Sequence, residues 1–309
     1  MVFVKRRINI EFTLKSAVSG ASSFLGPDGK PTGKNTLTLT GPRVQAKITN
    51  IGAGGAANQC QVSIYGMQLS HMNSLSTLGK VVFLLPKDAF TIYAGEEDPL
   101  PVVFSGEVIN AYINLQGAPN TPFVVDGQGA FSSNAAIAPA TSYRDGVDVA
   151  RVIEYIATEL MGLKFENNGV SVIMPKQYYP GSPMTQLIAA AYAAGIAWTV
   201  ERGVVAIWPK TGARRASNPL IVSKKTGMIG YPTYTGYGIT VKSIFNPAIR
   251  FGDRIEVESS LDEKQKLLSA SGPWNICKLD AELASETPKG PWQMTMECIR
   301  PGIPQPVLK

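Results

Sequence analysis

Two stretches of the chain repeat one another: GLKFENNGVSVIMP at 162–175 and GIAWTVERGVVAIWP at 195–209, with one residue inserted in the second. Each runs glycine, a strand-like segment with an aromatic, a tight turn at glycine, a valine-led segment and a closing proline. Asn168-Gly169 marks the first turn and Arg202-Gly203 the second, so each copy reads as a hairpin; Asn-Gly is the strongest short signal of that kind, because both turn residues take positive φ. An apolar helical pattern precedes each copy. Val149, Val152, Ile153, Ile156 and Leu160 recur every three or four residues, with Asp145 or Asp148 as N-cap and Gly162 just past the end. Ser182-Pro183 opens the second helix, a cap followed by proline at the first helical position. That helix is expected to bury Leu187, Ile188, Ala191 and Tyr192 and to stop at Gly195. Two copies about 33 residues apart make an internally duplicated α-β-β domain from Asp145 to Trp208. A solenoid would need at least three.

Outward from this domain the chain reads as β on both sides. Towards the N-terminus, Ile8–Phe12, Leu37–Thr40 and Val44–Ile48 alternate apolar and polar residues, the signature of a half-buried strand. Cys60–Gly66, Val81–Leu85, Phe90–Tyr93 and Val102–Ile113 continue the series, and the Ser/Gly/Pro-rich stretch from Ser16 to Asn35 reads as a long loop. Beyond about Thr211, strands are expected at Ile239–Phe245, Asp253–Ser259, Trp274–Asp280 and Trp292–Ile299. Short strands punctuated by Gly and Pro read as a barrel or sandwich. The fold class is therefore mainly β with an α+β insertion, and the expected domains are 1–130, 140–210 and 215–309.

Composition narrows the function. The chain has 309 residues, 44% apolar and 17% charged, enough to bury a real core. Its longest nearly apolar stretch, Leu187 to Val200, falls short of the roughly 20 residues a membrane-spanning helix needs. No apolar signal-peptide region follows Lys5, Arg6 and Arg7. Cys60, Cys277 and Cys298 are too scattered for a disulfide framework or a zinc site. These features lead to the expectation of a soluble protein made in a reducing cytoplasm, without membrane insertion. The net charge of +6 invites a nucleic-acid reading. However, the basic doublets Arg6-Arg7, Arg214-Arg215 and Lys224-Lys225 are dispersed, so each reads as solvated surface and not as a binding stripe.

No constellation of catalytic residues emerges. The string Gly52-Ala53-Gly54-Gly55-Ala56-Ala57 has the spacing of a dinucleotide fingerprint, but an alternating strand follows where that motif requires a helix. His71 is the single histidine and lies in no nucleophile motif. Of the acidic groups, Glu96-Glu97-Asp98 reads as a solvated turn. Glu154 and Glu159 at i,i+5 fall on different faces of an α-helix, and Asp253, Glu256 and Glu258 lie on one strand. No catalytic residue, metal ligand or cofactor site is assigned.

The C-terminal third carries a resemblance. Gly230-Tyr231-Pro232-Thr233, Gly238-Ile239-Thr240-Val241 and Phe245-Asn246-Pro247-Ala248-Ile249-Arg250-Phe251-Gly252-Asp253-Arg254-Ile255-Glu256-Val257 resemble the baseplate hub proteins of contractile-tailed bacteriophages, the T4-type hub and VgrG N-terminal-like family. So do Gly272-Pro273-Trp274-Asn275-Ile276 and Gly290-Pro291-Trp292, and upstream Ile48-Thr49-Asn50-Ile51-Gly52, Val62-Ser63-Ile64-Tyr65-Gly66-Met67 and Val103-Phe104-Ser105-Gly106. The motif residues are structural: Asn246-Pro247 closes a strand, because proline restricts the residue before it, and Gly252-Asp253 turns the chain into the next, with positive φ expected at Gly252.

The resemblance implies two similar β-barrels flanking the duplicated domain, with three chains giving a six-barrel ring. Such a ring would join the tail tube protein to the central spike protein, contact tape-measure and baseplate wedge proteins, and let DNA pass in transit. It implies a virion tail baseplate location, assembly in the host cytoplasm, and no enzymatic activity or cofactor. Two rivals stand beside it. One is a tail-associated peptidoglycan hydrolase. The other is a receptor- or glycan-binding tail module using Tyr178, Tyr179, Tyr231, Tyr234 and Tyr237, residues that otherwise read as packing or subunit-interface groups.

Overall fold

The computed structural model describes residues 5–15, 23–52, 58–78, 87–262, 265–266 and 270–304. The protein is mainly β with large antiparallel sheets. It divides into two compact units: Met1–Ile48, Gln59–Ser132 and Ala281–Trp292 in the first, and Thr49–Asn58, Ser133–Asp280 and Gln293–Lys309 in the second.

The first unit is built on the alternation read from the sequence. Its strands follow the hydrogen-bonded order Arg43–Asn50, Asn58–Tyr65, Phe123–Gln128, Val102–Ile113, Ala89–Gly95, Arg7–Thr13 and Thr36–Thr40. Side chains two apart on a strand share a face, so Ile8, Ile10 and Phe12 all turn inward and are fully buried. The antiparallel register sets Ile10 opposite Ile92 and Phe12 opposite Phe90. Phe90 then stacks on Phe12 with ring centroids 5.7 Å apart and meets Phe104 at 5.1 Å. The expected strand Val81–Leu85 lies outside the described residues. The helix Leu69–Leu75 has little sequence signal: it lacks a side-chain cap and buries only Met72 and Leu75.

The second unit contains the duplicated segment. Asp148 caps the helix Val149–Tyr155, accepting a hydrogen bond from the Ala150 N–H at 3.0 Å. The helix continues as a π-helical turn over Ile156–Leu160, closed by the Met161 N–H on the Ile156 carbonyl. The second helix, Pro183–Ala194, begins at the Ser182 cap and ends at Gly195 in the left-handed region. Its buried face differs from the expected one. Leu187 and Ala191 are buried, but Ile188 is 41% exposed and Tyr192 is 84% exposed. Met184, Gln186 and Ala190 face the core instead. The reason is that PMTQLIAAAYAA carries no charge to mark its outer side. Gln186 can be buried because its amide is fully engaged: it accepts from the Thr141 hydroxyl at 2.6 Å and donates to the Pro139 and Gly181 carbonyls.

Only one of the two expected hairpins forms. Ile196–Glu201 and Val204–Pro209 pair in antiparallel fashion across Arg202-Gly203, both at positive φ. In the first copy the chain does turn at Asn168-Gly169, with the Asn167 side chain bridging to the Val170 backbone. The two arms then part. Lys164–Asn167 pairs in parallel with Val204–Ile207, and Ile173–Met174 pairs with Val147–Asp148. Burial explains the choice. Val205, Ala206 and Ile207 are fully buried and offer Lys164–Asn167 a core partner, whereas Ile173 is 75% exposed.

Further strands run in the order Thr233–Tyr234, Gly238–Ile244, Trp292–Ile299, Gly272–Ser285, Arg254–Glu258 and Leu220–Ser223. Antiparallel register places Ile239 opposite Cys298 and Val241 opposite Met296. The last strand in this order, Leu220–Ser223, is not among those expected from sequence and joins Arg254–Glu258 in parallel. Cys60, Cys277 and Cys298 are free thiols. Burial pushes all three upward, Cys277 to about 11, so they stay protonated, Cys60 and Cys298 in the core and Cys277 half-buried.

Candidate functional site

The loop from Asn246 to Asp253 is held by its own polar groups and by arginines from the duplicated segment and the stretch that follows it. The Asn246 side chain accepts from the Ala248 N–H at 3.0 Å, and the Ile249 N–H bonds back to the Asn246 carbonyl. The Asp253 carboxylate accepts from the Arg250 N–H at 2.7 Å, closing the far end. Gly252 sits between at φ +82°. Its bare Cα faces the Trp208 ring, where a Cβ would lie 2.5 Å from the nearest ring carbon.

Trp208 forms the core of the site. It is fully buried with Ala197, Ala206 and Phe251, and its ring centroid lies 6.0 Å from that of Phe251. Gly52 approaches the other motif aromatic in a similar way, with a Cβ there 3.0 Å from Phe251. Asn50 steadies that stretch by accepting from the Gly52 N–H and donating to the Thr199 hydroxyl at 3.4 Å. Three stretches far apart in sequence, around Asn50, Trp208 and Gly252, therefore meet on one aromatic pair.

A buried ionic cluster surrounds this core. Arg214, 1% exposed, makes a bidentate pair with Glu166 at 2.8 Å for both bonds and donates to Glu201 at 3.0 Å. Its backbone N–H bonds to the Gly252 carbonyl. Arg215 grips the Asp253 carboxylate with two nitrogens and donates to the Ala248 carbonyl at 2.6 Å. From the hairpin turn, Arg202 donates to the Pro247 and Ile249 carbonyls at 2.7 and 3.4 Å. Arg250 lies 3.8 Å from Glu166. Planar guanidiniums suit this task because each forms several directed bonds at once.

The protonation states follow from these contacts. Hydrogen bonds from Arg214 hold Glu166 down at about 2. Burial pulls Arg214 down, but Glu166, Glu201 and Asp253 carry it above its ordinary value. Burial pushes Asp253 up, against the hydrogen bonds from Arg215 and the Arg250 backbone. Because Glu166 is depressed below its unfolded value near 4.5, it contributes stability that is complete above that pH and is lost as pH falls towards 2. Glu166→Gln should flatten the stability curve between pH 4.5 and 2 by about 2 kcal/mol at most, after allowing for solvent screening. Urea titrations of both proteins across that window check it. Parallel curves would refute the assignment.

The residues singled out by the sequence fall in different surroundings. Arg214-Arg215, expected as solvated surface, is the centre of the buried cluster, because acids from two other strands and the motif loop converge on it. Glu154 and Glu159, expected on different faces, line one open depression with Tyr143, Val147, Arg151, Tyr155 and Thr158. The π-helical turn causes this, since its i→i+5 spacing brings fifth residues into line. His71 packs edge-on against Phe24 at 5.9 Å. Asp98 accepts from Arg7 at 2.6 Å in an exposed turn. Tyr179 is buried and donates to Gln177, whereas Tyr178, Tyr231, Tyr234 and Tyr237 are 50–81% exposed. Gly52 leads towards the strand Asn58–Tyr65, and Ala53–Ala57 lie outside the described residues.

A family model described as Baseplate hub gp41 matches residues 34–298, which include every part of this site. The chain belongs to the baseplate hub gp41 family. It is a family of structural phage tail proteins. No curated protein matches the chain. Among solved structures, the hub chain is similar to a tail protein from Neisseria meningitidis MC58, with 10% identity over 98% of each chain and a TM-score of 0.61. It is similar to the 43 kDa tail protein of prophage MuSo2 from Shewanella oneidensis, with 11% identity over 99% of this chain and all of that one, at 0.57. It also resembles the E. coli c3393 protein, with 11% identity over 84% of this chain and 73% of that one, at 0.54. That protein is described as a type VI secretion component with structural similarity to the T4 tail proteins gp27 and gp5. At these identities the likeness is one of fold: this hub shares the architecture of phage tail and secretion-system proteins.

Proposed function

We propose that this hub protein acts as a homotrimeric ring in the phage tail baseplate, joining the tail tube to the central spike and leaving a channel through which DNA passes. The observation that carries the reading is the family match across residues 34–298, on a fold shared with tail proteins. In this reading the β regions 1–130 and 215–309 each supply one barrel-like element of the ring, and the duplicated segment 140–210 braces the second through the arginine cluster. The Asn246-Pro247 and Gly252-Asp253 positions are structural and fix the loop on which that bracing rests. Tail tube, spike, tape-measure and wedge proteins are the partners, and assembly takes place in the host cytoplasm.

The exposed Tyr231, Tyr234 and Tyr237 favour a protein interface, since tyrosine supplies large contact area with little conformational freedom to lose. Light scattering of the purified chain, alone and mixed with its tube and spike proteins, should give a species of about 99 kDa, three times the 33.1 kDa chain, or larger complexes built on it. A monomer under both conditions contradicts the ring.

The role is mechanical and uses no catalytic residue. Replacing His71 by Ala, or Glu96 and Glu97 by Gln, should leave infectivity within about twofold, since Glu96 and Glu97 are exposed, where substitutions change stability by under about 0.5 kcal/mol, and His71 is only half-buried against Phe24. Plaque counts on complemented phage check it. Loss of infectivity with fold and oligomer intact would revive the hydrolase reading.

A further inference from the structure

A closed ring of three copies makes a demand on the surface of each. Its contacts are heterologous: one patch of a copy meets a different patch of the next. The second unit carries two unlike patches of opposite charge. The first is the open depression against the π-helical turn, about 550 Å³ in volume. Glu154 and Glu159 are exposed there together, with Tyr143 and Tyr155 in the same lining. Arg151 shares the lining, yet among the described residues neither carboxylate has an ion-pair partner. These side chains leave one net negative charge, and the faces of the tyrosine rings also attract cations.

The second patch is the turn Lys224–Thr226. The chain has three basic stretches that could answer an acidic surface. Arg7 is taken by Asp98 and Arg6 lies over Trp292, while Arg214-Arg215 belongs to the buried cluster. Lys224 and Lys225 are exposed and form no ion pair among the described residues. Their turn is held in place: the Thr226 hydroxyl accepts from the Ser223 N–H at 2.8 Å and donates to the Ile221 carbonyl. Gly227 ends it in the left-handed region, and the Ile244 N–H bonds to the Gly227 carbonyl. Ile221 and Ile244, both exposed, therefore flank the lysine doublet with apolar surface.

We infer that Lys224 and Lys225 of one copy dock into the Glu154–Glu159 depression of the next, an assignment that rests on the trimeric reading above. Charge selects this occupant. A two-fold contact through either patch would set lysines against lysines or glutamates against glutamates, and like charges brought together in an interface are costly. Turn to depression is the pairing that matches, and it is the heterologous one a three-membered ring requires.

The test is a charge swap in the full chain, read by light scattering over a dilution series, alone or with the tube and spike proteins, whichever yields the trimer. The double variant Lys224→Glu, Lys225→Glu should raise the concentration at which the trimer half-dissociates by about tenfold or more. The double variant Glu154→Lys, Glu159→Lys should do the same. All four side chains are exposed, so both variants should keep the wild-type circular-dichroism melt to within a few degrees. The quadruple variant restores opposite charges across the contact and should recover most of the lost assembly. A trimer indifferent to either reversal, or one weakened by both and not recovered in the quadruple variant, overturns this contact and leaves the ring standing. A wild-type chain that stays monomeric under both conditions removes the ring, and this contact with it.

Discussion

Gly252→Val will lower the melting temperature of the protein by more than about 10 °C, whereas Gly29→Val will lower it by only a few degrees. Both glycines have positive φ, at +82° and +74°, so a β-branched side chain is strained at either position by about 1–3 kcal/mol. The surroundings separate them. A Cβ at Gly29 has no atom within 4 Å, and a Cβ at Gly252 meets three atoms of the Trp208 ring at 2.5–3.1 Å. Overpacking of this kind adds about 1–3 kcal/mol, and Trp208 is fully buried with nowhere to retreat. Circular-dichroism melts of the two variants decide the matter. Equal shifts would mean that the contact with Trp208 carries no weight.

Arg214→Met should be comparably severe. It leaves Glu201, 6% exposed, without its hydrogen-bonding cation and strips both bonds from Glu166. Removing one partner of a buried ion pair costs about 3–5 kcal/mol, mostly through the charge left behind. The triple variant Arg214→Met, Glu166→Gln, Glu201→Gln removes those stranded charges and should recover more than half of the loss. Denaturant unfolding of both variants measures it. A triple variant no more stable than the single one would contradict this account of the loss.

Whether a feature can be read from the sequence depends on how local it is. The strand alternation of Ile8–Phe12, the Asp148 and Ser182 caps and the Arg202-Gly203 turn are set by neighbouring residues, and all appear where their spacing predicts. The first repeat does not close as a hairpin because the parallel partner Val204–Ile207 is some 40 residues away, and no local pattern announces it. The buried face of Pro183–Ala194 is hidden because an uncharged helix does not declare its outer side. Arg214-Arg215 departs furthest from expectation. A basic doublet looks like surface unless one knows that Glu166, Glu201 and Asp253 converge on it. One signal is present: Arg214 and Arg215 sit in a chain with few charged residues, shortly before the motif stretch that carries the family resemblance. The Glu154–Glu159 alignment depends on a π-helical turn that residue spacing does not reveal.

The hub role is tested most directly by cryo-electron microscopy of intact tails carrying this chain. The expected result is three copies closed into a ring around the axial channel, between the last layer of the tail tube and the base of the spike. In that ring the Asn246–Asp253 loop should be clamped by Arg202 and Arg215. Density for the chain at the periphery of the baseplate, away from the axis, would contradict the ring.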